Sequence, residues 1–286
     1  MEVPQTCIAR MKHINLSFAA CGFLGIYHLG AASAFYKHGK KLLKNVKAFA
    51  GASGGSLVAS VLLTAPQKIE ECNDFTYGFA EEIRRQTFGA VTPGYDFMAR
   101  LRSGVEAILP PNAHELAHNR LHVSITNTKT RENYLVSSFP SREDLVKVLL
   151  ASSFVPIYAG LKPVEYKGQK WVDGCFTNSL PLLPVGRTVT VSAFSGRVDI
   201  SPQDEGPLDF YVTIAKQDIL ITWKHPSDVK HGRFQETPVS CSSRMEGSMF
   251  SGCTPLPLRW ARKDVRNSQH HERPLTRGGA TQACFS

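Results

Sequence analysis

The sequence predicts an α/β fold, because strand-like and helix-like segments alternate from its beginning. Residues 14–19 alternate apolar and polar side chains, which is typical of a β-strand, and residues 26–38 follow with helical spacing and Gly39 at their end. A short apolar run then begins at Val46, and small and aliphatic residues continue to Leu63. This order of strand, helix, strand and helix is typical of the α/β class.

Further elements follow the same two periodicities along the middle of the chain. Apolar residues recur at helical steps in residues 66–86 and 95–109, and a capping box at Ser141 begins another helix. Strand patterns occur in five segments: residues 121–127, 133–138, 164–166, 169–172 and 189–194. A last periodic segment covers residues 209–221. The organised part of the chain is therefore expected to end at residue 221.

The turn between the second strand and its helix carries the pattern Gly51-x-Ser53-x-Gly55. A serine at the tip of a sharp strand–turn–helix connection projects its hydroxyl into a cleft, and a Cβ two residues before or after it would clash with backbone. The helix that follows points its positive N-terminal end to the place where an oxyanion forms. A glycine-rich turn with an incidental serine is the alternative, but the flanking strand and helix favour a nucleophile.

Composition narrows the possible functions. The chain has 286 residues, of which 42% are hydrophobic and 20% charged, and a net charge of +9. This fits one large or two small globular domains and permits contact with an anionic surface. Aromatic residues do not alternate with a basic cluster, so nucleic acid is not expected as a partner. No run is long enough to span a bilayer, so we expect a cytoplasmic protein that touches membranes only peripherally.

Seven scattered cysteines and ten histidines offer no familiar metal pattern. Neither Cys-x-x-Cys nor His-Glu-x-x-His occurs, and the odd, unpaired cysteine count argues against a disulfide framework. We therefore expect no metal and no cofactor.

A basic cluster follows the first helix and is interpreted as a solvated surface rather than a lipid-headgroup patch. It consists of Lys37, His38, Lys40, Lys41, Lys44 and Lys47.

The loop after the first strand is the candidate oxyanion hole. It opens the first helix and contains glycine, so its backbone N–H groups can converge on an anion. Its residues are Cys21, Gly22, Phe23, Leu24 and Gly25. A dinucleotide-binding turn or a plain strand-to-helix turn is the alternative. The pattern Gly-x-Gly-x-x-Gly is incomplete here, because Ala20 occupies the place of its first glycine.

The candidate general base is Asp173, which ends a short strand and precedes Gly174. A triad of the α/β-hydrolase type needs a histidine after the acid. The histidines that follow Asp173 all lie in an unpatterned segment: His225, His231, His270 and His271. A Ser–Asp dyad needs no histidine, and a carboxylate in a desolvated cleft accepts the serine proton more readily than in water. An ordinary Asp-Gly turn is the alternative for this pair taken alone.

Together these segments resemble the patatin-like phospholipase family, and its adiponutrin group in particular. The resemblance covers about residues 11–221 and rests on residues 16–30 (LSFAACGFLGIYHLG), 49–63 (FAGASGGSLVASVLL), 92–101 (TPGYDFMARL) and 171–181 (WVDGCFTNSLP). It implies a three-layer α/β/α sandwich with a mostly parallel central sheet. It also implies hydrolysis of acyl esters in neutral lipids or phospholipids, at the surface of lipid droplets or membranes.

The same match implies a role for each candidate residue. Ser53 is the nucleophile and Asp173 the general base. The oxyanion hole is formed by Cys21, Gly22, Phe23, Leu24 and Gly25, while Gly51 and Gly55 belong to the serine motif and Gly174 to the motif of the base.

Two side chains depart from the family pattern. Ala20 replaces the first glycine of the oxyanion motif, and Cys175 stands where the family has Gly or Ala, so that a thiol adds volume beside the base. A catalytically silent protein that binds a lipid surface is therefore the second functional hypothesis. An esterase that uses one of the later histidines is the third.

The end of the chain is not expected to continue the fold. Residues 222–286 have few aliphatic side chains and carry ten Lys and Arg against five Asp and Glu. Such a segment buries too little apolar surface to offset the entropy of ordering. We therefore divide the chain into an N-terminal extension (residues 1–10), a patatin-like domain (residues 11–221) and a basic, disordered tail (residues 222–286).

Limited proteolysis tests this division. We expect rapid cleavage between residues 222 and 286 and a resistant fragment that begins near Met11, because proteases cut segments that bury little surface. Mass spectrometry of the fragments over time is the measurement. A tail that is cleaved as slowly as the core would contradict the division.

Overall fold

The structure of the protein is a computed structural model, which describes residues 13–202 and 209–222. Its strands are β1 (Ile14–Phe18), β2 (Val46–Ala52), β3 (Leu121–Asn127), β4 (Asn133–Val136), β5 (Val164–Tyr166), β6 (Gln169–Asp173), β7 (Arg187–Val191), β8 (Asp209–Ile214) and β9 (Gln217–Thr222). Its α-helices are α1 (Gly25–His38), α2 (Lys40–Asn45), α3 (Gly54–Thr64), α4 (Ile69–Arg85), α5 (Phe97–Ile108), α6 (Ala113–Ala117) and α7 (Arg142–Ser152).

Seven strands form one sheet in the order β5-β6-β3-β2-β1-β7, with β4 paired to β3. The strands β7, β1, β2 and β3 run parallel to their neighbours in that row. The strands β4 and β6 are antiparallel to β3, and β5 is antiparallel to β6. Helices flank this sheet, and β8 and β9 form a separate hairpin. The predicted α/β class with a mostly parallel central sheet is therefore confirmed.

Strands β2 and β6 meet end to end along one edge of β3. Ala52 of β2 pairs with Ser124, and Asp173 of β6 pairs with Ile125, which is the next residue of β3. The other edge of β3 is occupied by β4, which pairs with residues 123–126. Because β2 is parallel and β6 antiparallel to β3, the two strands approach from opposite directions and end at the same place.

A continuous apolar core fixes this arrangement. Helix α3 packs across β1, β2 and β3, and helix α7 packs on β3, β5 and β6. The largest fully buried side chains come from these elements and their connections; among them are Leu16, Phe18, Leu121, Ile125, Leu145, Leu149 and Phe154. Burial of one such side chain contributes about 1.5–3 kcal/mol. The core therefore holds the ends of β1, β2 and β6 in fixed register.

Most predicted elements are present, with shifted ends. The helix predicted at residues 66–86 begins as a 3₁₀ turn at Pro66–Lys68 and continues as α4. Asp96 caps α5 by accepting the Ala99 N–H at 2.9 Å, and Ser141 caps α7 by accepting the Asp144 N–H at 3.1 Å. The short helices α2 and α6 were not predicted. Helix α2 buries no side chain, and α6 is too short to show a helical period.

The segment predicted as one periodic unit at residues 209–221 is a hairpin of β8 and β9. Its turn holds Ala215 and Lys216 at φ values of 45° and 69°, and neither residue is a typical signal for positive φ. The predicted extension at residues 1–10 and the predicted tail from residue 223 onward lie outside the described residues. In the part of the chain that the structure describes, no helix is long and apolar enough to cross a membrane.

Candidate active site

Ser53 stands between the last residue of β2 and the first residue of α3, in a strained conformation. Its φ of 52° and ψ of −134° lie in a region that residues with a side chain rarely adopt. Such a conformation costs about 1–3 kcal/mol and persists only where the surroundings enforce it. The result is a sharp turn that places Ser53, which is 9% exposed, at the C-terminal edge of the parallel strands.

Three buried serines hold the backbone of Ser53. The Ser53 N–H donates to Oγ of Ser152 at 2.9 Å, and that hydroxyl donates to the carbonyl oxygen of Ser124 at 2.7 Å. The Ser53 carbonyl oxygen accepts the hydroxyl of Ser56 at 2.7 Å. Because Ser56, Ser124 and Ser152 are fully buried, water cannot replace these bonds, and the strained turn is fixed from both sides.

The two glycines of the serine motif are required by close backbone contacts. A Cβ on Gly51 would lie 2.7 Å from the backbone of Gly55. A Cβ on Gly55 would lie 2.3 Å from the carbonyl oxygen of Ala19 and 2.4 Å from that of Phe18. The start of α3 therefore packs directly against the end of β1, which leads into the candidate oxyanion loop.

That loop is a 3₁₀ turn at Gly22–Leu24 between β1 and α1. Gly22 has a φ of +53°, which suits glycine. A Cβ on Gly54 would lie 2.9 Å from the Gly22 carbonyl oxygen and 3.0 Å from Sγ of Cys21, so the loop lies against the residue that follows Ser53. The first N–H groups of α3 have no partner within the helix. Backbone donors from the loop and from α3 are thus available beside Ser53.

Ala20 fits the backbone conformation at its position. Its N–H donates to the carbonyl oxygen of Ser179 at 2.8 Å. It is not among the residues with positive φ, so the position does not need a glycine.

Asp173 is fully buried at the end of β6. Its Oδ1 accepts the N–H of Cys175 at 2.8 Å. Its own N–H donates to the Phe154 carbonyl oxygen at 2.9 Å, and its carbonyl oxygen accepts the hydroxyl of Thr126 at 2.8 Å. A Cβ on Gly174 would lie 2.2 Å from the Ser124 carbonyl oxygen, so only glycine lets this turn lie against β3.

Burial raises the pKa of the Asp173 carboxyl from 3.8 to about 6, and hydrogen bonding by the Cys175 N–H and by the Ser53 hydroxyl opposes that rise. The Ser53 hydroxyl is thus near enough to lower the pKa of Asp173. Within residues 13–202 and 209–222, however, Oδ2 of Asp173 has no hydrogen bond of ordinary geometry. The contact between the two side chains is therefore long or poorly aligned, as it is in many unliganded active sites.

Two thiols lie beside this carboxylate. Burial, and then the charge of Asp173, raise the pKa of both Cys21 and Cys175, so both thiols stay protonated at neutral pH. Neither cysteine forms a disulfide. A protonated thiol is a poor nucleophile and does not compete with Ser53.

The described residues place no histidine on Ser53 or Asp173. His28 is fully buried against the ring of Phe18, and burial lowers its pKa to about 3. The four later histidines lie outside the described residues. Within those residues no group of three His, Cys, Asp or Glu side chains could hold a metal ion.

Sequence analysis did not identify the supporting hydroxyls of Thr126 and Ser152 or the supporting carbonyl oxygen of Ser124. Ser152 is separated from Ser53 by 99 positions, and it lies in the last turn of an amphipathic helix where serine is unremarkable. No local pattern marks it. Only the pairing of β2 and β3 and the packing of α7 bring it to the turn.

Comparison with known proteins gives the family. Residues 16–185 match the family described as patatin-like phospholipase. Human patatin-like phospholipase domain-containing protein 4 is 84% identical over 212 residues, which are 74% of this chain and 84% of that protein. Human patatin-like phospholipase domain-containing protein 2 is 38% identical over 195 residues, which are 68% of this chain and 38% of that protein.

A third relative is human 1-acylglycerol-3-phosphate O-acyltransferase PNPLA3, which is 35% identical over 208 residues, or 72% of this chain and 43% of that protein. The chain thus spans most of the first relative and about two fifths of the other two. On the family match and the 84% identity, the chain belongs to the patatin-like phospholipase family, and this supports lipid ester hydrolase activity.

Proposed function

We propose that the protein hydrolyses triacylglycerol or related neutral lipid esters with a Ser53–Asp173 dyad, at the surface of lipid droplets or membranes. The observation that carries the proposal is the meeting of a strained serine turn with a fully buried carboxylate of raised pKa. A nucleophilic serine needs a base, an oxyanion hole and a dry site. The patatin-like domain is proposed to cover residues 11–221.

The chemistry begins with transfer of the Ser53 proton to the free oxygen of Asp173. Ser53 Oγ attacks the ester carbonyl carbon. The oxyanion is stabilised by the N–H of Gly54 and by the N–H groups of the loop at residues 21–25 other than those of Leu24 and Gly25, which donate within the loop. The intermediate collapses with cleavage of the ester C–O bond, and Asp173 returns the proton to the departing alcohol. Water then attacks the acyl–Ser53 ester with Asp173 as base, which releases the fatty acid and regenerates the serine.

An alcohol can take the place of water in the second step, so acyl transfer is proposed as a side activity. The relative named as an acyltransferase for 1-acylglycerol 3-phosphate supports this, because that protein and this chain are 35% identical over 208 residues. A panel of triacylglycerol, retinyl ester and phospholipid substrates, assayed with and without an added alcohol acceptor, identifies the preferred ester and acceptor.

Substitution of the dyad is the first test. Ser53→Ala and Asp173→Asn are each expected to lower kcat/KM by about 10⁴-fold or more, because each removes one partner of the proton transfer. Ser53→Ala should leave the melting temperature nearly unchanged.

The matched control replaces His225, His231, His270 and His271 together by alanine and should retain activity. Residual activity of Ser53→Ala above a tenth of wild type would contradict the dyad. Loss of activity in the folded quadruple variant would favour the esterase hypothesis. A wild-type protein that hydrolyses no ester of the panel would favour the silent lipid-binding protein.

The pH profile is the second test. Asp173 acts as a base only when ionised, so kcat/KM should rise tenfold per pH unit below about pH 6 and level off above it. The raised pKa also means that the folded state binds the proton more tightly than the unfolded state, so the free energy of unfolding should fall as pH rises from about 4 to 6. Asp173→Asn should remove both dependences. A rate profile that is flat between pH 5 and 7 would contradict this assignment.

Ser152 gives the third test. Ser152→Ala leaves the buried Ser53 N–H without its acceptor, so kcat should fall about tenfold to a hundredfold with little change in KM, because the nucleophile is misplaced. Ser152→Thr keeps the hydroxyl and should recover most of kcat. The control is Ser153→Ala, since the Ser153 hydroxyl only donates to Leu149 in its own helix. A wild-type kcat for Ser152→Ala would show that the turn is held without this bond.

A further inference from the structure

The loop between α7 and β5 carries two unusually exposed apolar side chains. Ile157 is 69% exposed and Leu161 is 84% exposed. Among the large hydrophobic side chains that the structure describes, these two have the highest exposed fractions. We call residues 155–162 the flanking loop. Exposed apolar side chains of this kind, when they lie together, mark sites of contact with a partner.

The flanking loop is held firmly and yet presents Ile157 to solvent. Ile157 has a φ of 73°, which is an unfavourable conformation for a β-branched residue. Its N–H donates to the Gly160 carbonyl oxygen at 2.9 Å, and the Ala159 N–H donates to the Val155 carbonyl oxygen at 2.8 Å. The ring of Tyr158 packs edge-to-face on Phe97 at 5.2 Å. The fold thus turns Tyr158 inward and keeps the strained Ile157 outside.

The flanking loop adjoins the candidate active site. Phe154, directly before it, accepts the N–H of Asp173 at 2.9 Å. Phe97, which contacts Tyr158, also lies 6.4 Å from the ring of Phe23 in the oxyanion loop. The flanking loop is therefore connected to the turn of the base on one side and to the oxyanion loop on the other.

Cations follow these apolar side chains along the chain, just before and within the β5–β6 hairpin. Residues 155–170 contain three lysines (Lys162, Lys167 and Lys170) against the single acid Glu165. The neighbouring β3–β4 turn is joined to β6 by the Thr128 N–H, which donates to the Lys170 carbonyl oxygen at 3.0 Å. This turn adds Lys129 and Arg131 against Glu132, and all of these charged side chains are exposed. The combination of protruding apolar residues and an excess of cations matches an anionic lipid layer.

We propose that the flanking loop docks the protein on an anionic phospholipid surface. Ile157 and Leu161 enter the acyl boundary, while Lys162, Lys167 and Lys170 bind the headgroups. Docked in this way, the protein presents the side of the candidate active site that the flanking loop adjoins to the surface that supplies the ester. The inference rests on the proposed function, because only a lipid substrate reaches Ser53 from such a surface.

The first experiment measures flotation of the full chain with vesicles of phosphatidylcholine that contain phosphatidylserine. All proteins carry Ser53→Ala, so that no turnover alters the vesicles. Ile157→Asp combined with Leu161→Asp should lower the vesicle partition coefficient about tenfold or more. Aspartate adopts positive φ more readily than isoleucine, so the variant should keep the wild-type melting temperature. Leu161→Asp alone, at the more exposed position, should show a smaller loss in the same direction.

Val185→Asp is the matched control for the apolar pair. Val185 is 58% exposed, and its carbonyl oxygen accepts the side chain of Asn15 at 2.7 Å, near the start of β1 and the opposite edge of the sheet. This variant should bind vesicles within about twofold of wild type. Wild-type binding by the Ile157→Asp and Leu161→Asp variant, or an equal loss in Val185→Asp, would overturn the proposal.

The second experiment reverses charge. Lys162→Glu, Lys167→Glu and Lys170→Glu together should abolish the preference for vesicles with phosphatidylserine over vesicles of phosphatidylcholine alone. The control reverses Lys40, Lys41 and Lys44 in α2, which leads into the N-terminal end of β2, whereas Ser53 follows the C-terminal end of that strand. This control should retain that preference. Loss of the preference in the control alone would assign the lipid contact to α2 and overturn the proposal.

The experiments distinguish failure of the proposed ester hydrolysis from failure of the proposed docking surface. If the wild-type protein hydrolyses no lipid ester while the binding pattern holds, the proposed function fails and the docking surface stands. If the wild type hydrolyses lipid esters while the apolar variant floats as well as its parent, the docking surface alone is wrong.

Discussion

The candidate site depends on one constraint of the sheet, which is that β2 and β6 share one edge of β3. Their ends pair with consecutive residues, Ser124 and Ile125. The ladder hydrogen bonds thus bring the serine turn and Asp173 together without a flexible segment between them. Ser124 serves both elements, because its carbonyl oxygen accepts the hydroxyl that holds Ser53 and also lies where a side chain on Gly174 would stand. A shift of register by one residue in either strand would separate the pair.

The same site contains two unfavourable features that the proposed dyad would use. The backbone strain at Ser53 costs about 1–3 kcal/mol. Burial of Asp173 raises its pKa from 3.8 to about 6, which corresponds to about 3 kcal/mol against the ionised form in the folded protein. In the proposed dyad, the strained turn places the Ser53 hydroxyl near Asp173, and the raised pKa makes the carboxylate a better proton acceptor. Both costs are offset by the core formed by β1, β3 and α7, which lies directly behind the site.

The features that could be predicted from the sequence are those set by contacts between residues close together in the chain. The spacing of Gly51, Ser53 and Gly55 is set by contacts within a few residues, so it is visible as a motif, and the strong periodicities of α4 and β3 are visible for the same reason. The hydroxyl of Ser152 and the meeting of β2 with β6 were not predictable, because both arise from pairing between distant segments. The turn at Ala215 and Lys216 was missed because positive φ there is enforced by the hairpin rather than signalled by glycine.

The two departures from the family pattern bear on whether the site is active. The Asp173 carboxylate is held by the backbone N–H of Cys175, at 2.8 Å, which any residue at that position would supply. The Cys175 thiol is protonated and partly buried beside the carboxylate. Its hydrogen bonding lowers the pKa of Asp173, but this effect is smaller than the rise that burial causes, so the pKa stays raised. Ala20 keeps a backbone conformation open to any residue and donates its N–H to Ser179. Neither departure removes a contact that the proposed dyad would need, and this favours the proposed enzyme over a silent lipid-binding protein.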